Sequence, residues 1–166
     1  MSGHRQDTHV RRLGWALSTV SGVTDAHEDD LWDFVRTRRD GILATVDPDG
    51  TPQLSNVYFV ADASERAVRI STTSRRTKGR NLLRDPHAAL HVPGDDFFHF
   101  VVLSGEVTCT LAHEVADAGT DELFDVHSSF YEGLERPQFD REMIDEGRMV
   151  VRLPATRIYG LLLSDR

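Results

Sequence analysis

From Gly41 to Asp62 the chain reads GILATV, then DPDG, then TPQLSNVYFVAD. Two strand-forming runs separated by so short a turn pair antiparallel, because parallel pairing needs a crossover of a dozen residues or more. The same punctuation recurs downstream. AVRISTT (67–73), HAALHV (87–92) and FFHFVVLSGEVTCTL (97–111) read as further strands, the last bent at Gly105. RMVVRLPATRIYGLLL (148–163) reads as two strands hinged at Pro154. Hairpins dominate, so the expected fold is mainly β with flanking helices, its antiparallel sheet closed into a barrel.

Helices fit between these strands. HEDDLWDFVRTRRDG (27–41) has acids in its first turn and arginines in its last, which suits the helix dipole, and Leu31, Phe34 and Val35 make an apolar stripe. KGRNLLRDP predicts a short helix that stops before Pro86. Over 114–134 a longer helix is expected, with Leu123, His127, Phe130 and Leu134 on one face and Val126 beside them, and a second over roughly 138–146.

Two organisational units follow: a flexible N-terminal extension over 1–27, and one domain over 28–166. The extension has an alternative reading as an arm packed on a partner subunit, anchored by Trp15 and Leu17. It lacks a sustained apolar segment, and no stretch approaches the roughly 20 apolar residues that cross a bilayer, so a cytoplasmic, membrane-free protein is expected. One cysteine, Cys109, cannot form an internal disulfide and reads as a packed side chain. HEVAD (113–117) begins like a zinc-protease helix, but Asp117 stands where a second histidine would be needed, so no metal is expected. No nucleophile elbow, dinucleotide fingerprint or P-loop occurs.

The net charge is -8, which argues against nucleic acid as a partner. Against that background, SRRTKGRNL (74–82) concentrates Arg75, Arg76, Lys78 and Arg80, and Lys78 is the chain's one lysine. The segment links a strand to a helix start near Arg76–Lys78, where unpaired N–H groups and the positive end of the dipole favour an anion. Ser71, Thr72, Thr73 and Ser74 add hydroxyls. Arg76 can grip a phosphate with parallel hydrogen bonds and Lys78 can act as a point charge. Two readings stand: a phosphate pocket, or a solvated basic turn paired with nearby acids. On the returning strand Gln53, Ser55 and Val57 face one way while Leu54 and Asn56 face the other. That polar strand suits either a flat heterocycle or an edge in water.

GILATVDPDGTPQLSNVYF, ISTTSRRTKGRNLLRDPHAAL and LPATRIYGL together resemble the pyridoxamine 5′-phosphate oxidase-like family of flavin- and deazaflavin-binding split β-barrels. The likeness runs in order over about 28–163 and is most marked to the actinobacterial branch that uses coenzyme F-420. It implies a homodimer with a cofactor, F-420 or alternatively FMN, in each groove between subunits, and a small electron-poor organic substrate. Phosphate would sit on Ser71, Thr72, Arg76 and Lys78, with Thr73 beside them and Asn81 supporting the loop. The ring would lie along Gln53, Ser55 and Asn56. Phe98, in DDFFHF, would replace the tryptophan of related F-420 proteins as an aromatic wall. Tyr58, His99 and solvent are candidate proton donors. The resemblance also leaves open a non-enzymatic flavin or tetrapyrrole binder.

Overall fold

The computed structural model describes residues 27–162. The expected extension over 1–27, with Trp15 and Leu17, lies outside the described residues except for His27, and so do residues 163–166.

Thirteen elements follow one another among the described residues: α1 (Glu28–Arg36), β1 (Asp40–Val46), β2 (Pro52–Tyr58), β3 (Val60–Asp62), β4 (Ala67–Thr73), α2 (Thr77–Arg84), β5 (His87–Pro93), β6 (Phe100–Glu106), β7 (Thr108–Leu111), α3 (Ala118–Ser128), α4 (Arg136–Asp145), β8 (Arg148–Pro154) and β9 (Arg157–Leu161). The strands form two antiparallel sheets, ordered β2-β1-β5-β6-β9 and β3-β4-β8-β7. The DPDG hairpin sets the β1–β2 register, with Gly41 opposite Val57 and Val46 opposite Pro52.

The single barrel expected from the strand count is not closed among the described residues. Three strand runs instead pass from one sheet to the other. The returning strand breaks at Phe59, which is fully buried: β2 belongs to the first sheet and β3 to the second. The long strand over 97–111 breaks at Val107, two residues beyond the expected bend at Gly105, and separates β6 from β7. Its first three residues are not strand, because the Asp96 carboxylate accepts from the backbone N–H groups of Phe98 and His99 and forms a turn. The third crossing is the expected hinge after Pro154.

Between the sheets lies the main core, where Leu43, Phe59, Ile70, Leu90, Leu103 and Leu153 are fully buried. Full burial of one such side chain contributes about 1.5–3 kcal/mol. α1 closes one end of this core with Leu31, Trp32 and Val35. A smaller cluster joins Leu123 and Val126 of α3 to Phe139 and Met143 of α4 and to Val150 of β8.

The helix expected over 114–134 is shorter. Asp117 caps α3, its carboxylate accepting from the backbone N–H groups of Thr120, His113 and Glu114. Gly133, at a φ of 71°, lies in the link to α4, and Pro137 sits in the first turn of that helix. Phe130 and Leu134 therefore belong to the link rather than to a helix face.

The outward face of the five-stranded sheet carries Leu54, Tyr58, Ile42 and Tyr159, exposed at 63%, 70%, 37% and 50%. Strand register aligns Asn56, Ile42, His91, Val102 and Tyr159 in one row across all five strands. No described helix is long and apolar enough to cross a membrane.

Candidate functional site

The basic turn at 74–80 divides its four cations into two pairs. Arg75 donates to the Asp145 carbonyl at 2.6 Å, and Arg80 donates to the Arg75 carbonyl. Ser74 N–H donates to the Gly147 carbonyl at 2.9 Å, so these contacts tie the turn to itself and to the end of α4. Arg76 and Lys78 take the other direction. Both line a cavity of about 610 Å³, and no carboxylate pairs with either among the described residues. That volume lies within the range of cofactor and small-ligand pockets, roughly 300–1,000 Å³.

The local sequence makes this geometry. Arg76 is the N-cap of α2 and is extended at φ -71°, ψ 154°, without a capping side-chain bond. Lys78 lies in the first turn, which contains no acid. A Cβ at Gly79 would collide with the Thr73 carbonyl oxygen, so only glycine lets α2 begin so close to the end of β4. Burial pushes the Lys78 ammonium below its ordinary pKa, and neighbouring Arg76 adds to the effect. Two adjacent cations without a carboxylate suit an anion, which would relieve both costs.

Ser71 stands beside them on β4 within a network of three elements. His127 Nε2 of α3 is 2.9 Å from Ser71 Oγ, and Arg148 of β8 donates to the same oxygen at 3.3 Å. Arg148 Nε is itself held by Glu146 at 2.7 Å. The His127 imidazole lies below its ordinary pKa through burial and the charge of Arg148, with Glu146 acting in the opposite sense.

Across the cavity are Asn56 and Tyr58 of β2 with Asp40 and Ile42 of β1. The remaining wall is aromatic: Phe130 and Tyr131 follow α3, and the Tyr58 and Phe130 rings lie 5.8 Å apart. Cations, an amide and aromatic rings in one lining provide for a ligand with an anionic tail and a flat ring.

Of the ten residues expected at the site, Asn56, Ser71, Arg76 and Lys78 line this cavity. Gln53, Ser55 and Asn81 lie behind it in one hydrogen-bonded chain. Gln53 Nε2 donates to Ser55 Oγ at 2.8 Å, Thr45 Oγ1 donates to Gln53 Oε1 at 3.0 Å, and Asn81 Nδ2 donates to Thr45 Oγ1 at 3.0 Å. Thr72 is buried, pointing to the other side of β4 from Ser71, and its hydroxyl has no hydrogen-bond partner among the described residues. Thr73 is half-buried outside the lining. Phe98 is 60% exposed, packs edge-on against Phe97 and contributes nothing to the cavity of its own chain. Of the proton-donor candidates Tyr58 is in the lining; His99 is outside it, its Nδ1 2.8 Å from Asp96.

Sequence reasoning missed Arg148, Asp40, Tyr131 and the site role of His127 and Phe130. The only available signal was the three-residue spacing of His127 and Phe130, which reads equally well as a core stripe.

A family model described as pyridoxamine 5′-phosphate oxidase matches residues 28–161. Among solved structures, a conserved hypothetical protein from Mycobacterium tuberculosis superposes with a TM-score of 0.62 at 24% identity, over 84% of this chain and 88% of its own. An F-420 reductase superposes with a TM-score of 0.53 at 26% identity, over 72% of this chain and 88% of its own. An FAD-binding protein from Mycobacterium smegmatis reaches 0.55 at 18% identity, over 83% and 96% of the two chains.

Proposed function

The chain belongs to the pyridoxamine 5′-phosphate oxidase family, and on that premise we propose that it is an F-420-dependent oxidoreductase acting on a small, electron-poor organic substrate. The observation that carries this reading is the pair Arg76 and Lys78, free of carboxylates among the described residues and directed into a cavity that Asn56, Tyr58 and Phe130 also line. The F-420 reductase among its structural neighbours favours the deazaflavin over FMN.

Arg76 and Lys78 would hold the cofactor phosphate with charge-assisted hydrogen bonds, and Ser71 would add its hydroxyl. Asn56 would offer an amide to ring carbonyl and nitrogen groups, and Phe130, Tyr131 and Tyr58 would pack against the ring. F-420, held there by Arg76 and Lys78, would when reduced be a source of hydride for an electron-poor carbon of the substrate. The chain's own part is orientation and desolvation. Tyr58, exposed at the cavity mouth, offers a hydroxyl proton to the product.

A second copy of this chain is the proposed partner, seated on the exposed face that carries Leu54, Ile42 and Tyr159. The cavity opens on that face, since Ile42 and Asn56 belong to both. A homodimer would thus complete the cavity wall, and Phe98, outside the cavity of its own chain, would serve the partner's.

Parallel titration with F-420 and FMN tests the cofactor assignment. F-420 should bind more tightly, and an enone or quinone acceptor should then be reduced in a recycling assay. Tight FMN binding without an F-420 response would assign an FMN enzyme instead. Ligand binding without hydride transfer to any acceptor would make the protein a binder.

A further inference from the structure

We propose that His127 makes the anion end of this cavity respond to pH by controlling which way the Ser71 hydroxyl points. The inference rests on reading the cavity as an anion site and adds a regulator to it.

A serine hydroxyl has one proton to give and two lone pairs to offer. Arg148 already donates to Ser71 Oγ at 3.3 Å, which occupies one lone pair. His127 Nε2, at 2.9 Å, is the other partner. A neutral imidazole with its proton on Nδ1 accepts the Ser71 proton, and the hydroxyl is then turned away from the ligand. An imidazolium must donate instead. It takes the second lone pair of Ser71 and leaves the hydroxyl proton free for an anion held by Arg76 and Lys78. Protonation from solvent thus adds one hydrogen bond and one positive charge to the same end of the cavity.

The surroundings allow this titration. β4 presents Ser71 to the ring, and β8 presents Arg148, which disfavours the imidazolium; Glu146, just before β8, favours it. α4 presents the uncharged Phe139, whose ring is 5.2 Å away, and the Tyr131 ring is at 6.0 Å. Arg76, Lys78, Asp40 and Tyr58 line the same cavity. Burial and the charge of Arg148 hold the His127 pKa below its ordinary value, so a bound anion has room to raise it. By linkage, anion affinity must then rise as pH falls.

The probe is inorganic sulfate, whose charge is constant across this range, titrated at fixed ionic strength and followed by NMR of the His127, Arg76 and Lys78 side chains. Between about pH 8 and about pH 5.5, sulfate should bind the wild-type protein about fivefold more tightly. Saturating sulfate should raise the His127 midpoint. In His127→Gln the affinity should lose this pH dependence. Sulfate binding at Arg76 and Lys78 with an unmoved His127 midpoint, or with the wild-type pH dependence retained in His127→Gln, overturns the inference and leaves the anion site standing. Sulfate that moves neither Arg76 nor Lys78 overturns both. Should His127→Gln not fold, the wild-type midpoint alone decides.

Discussion

Asn81 Nδ2 donates to Asp47 Oδ1 at 2.9 Å, across 34 residues of chain. Through the same nitrogen Asn81 reaches Thr45 Oγ1, so one buried amide pins the helix that begins with Arg76 and Lys78 to β1 and its turn. Arg84 reinforces the joint, donating to Asn81 Oδ1 and to the Val46 carbonyl.

Asn81→Ala should therefore act at two levels. It leaves buried partners short of a donor, which costs about 1–3 kcal/mol of stability. It should also weaken cofactor binding although Asn81 is outside the cavity lining. Urea denaturation and a binding titration on the same preparation measure both; loss of stability with unchanged affinity would show that α2 holds its position without the amide.

Arg75 and Arg76 are sequence neighbours with opposite commitments. Arg75 is spent on the Asp145 carbonyl, so Arg75→Ala should cost about 0.5–1.5 kcal/mol of stability for a hydrogen bond of this kind, seen as a lower unfolding midpoint, and leave cofactor affinity within about twofold on the scale of a few tenths of a kcal/mol. Thermal melts with and without ligand separate these effects.

That division was beyond reach of the sequence. The letters show four cations at a strand-to-helix junction, and the start of α2 was legible because a hydroxyl-rich strand end meets a short helix that stops before Pro86. Which cation turns inward depends on the rotation of the helix start and on where the end of α4 lies. Long-range placement hid the rest as well. Phe59 sits in an uninterrupted apolar run, VYFVA, where nothing local marks the change of sheet, whereas Gly105 marked the second corner to within two residues of Val107. His127, Phe130 and Arg148 arrive at the cavity from 50 or more positions beyond Ser71. A side-chain pattern of one helix cannot disclose that wall. The hairpin at DPDG and the acid-rich first turn of α1, both set by local rules, were read directly.

Asp117 links stability to pH. Burial pushes its carboxyl pKa up, but backbone N–H donors from Thr120, Glu114 and His113 outweigh this and hold it at about 2, against an ordinary 3.8. A folded-state pKa below the unfolded value contributes stability that is complete above about pH 4 and is lost as pH falls toward 2. Asp117→Asn should flatten this part of the stability curve, as read by urea midpoints across that window. An unchanged acid limb would place the acid sensitivity elsewhere.

The exposed face of the five-stranded sheet leads to a prediction about assembly. Leu54→Asp places a charge on the edge strand β2 of that face, on a side chain already 63% exposed, so the fold itself should be nearly unaffected. Wild-type protein should sediment as a dimer and Leu54→Asp as a monomer, with weaker cofactor binding in the variant. A monomeric wild type would remove the partner from the account.

Arg76 and Lys78 are proposed to hold the phosphoryl end of a redox cofactor. Fluorescence titration of F-420 into the wild type, Arg76→Ala and Lys78→Ala tests this most directly. Each substitution should weaken binding by about 1.5–3 kcal/mol, the scale of hydrogen bonds to charged groups, with circular dichroism showing both variants folded. Equal affinity in all three folded proteins would contradict the claim.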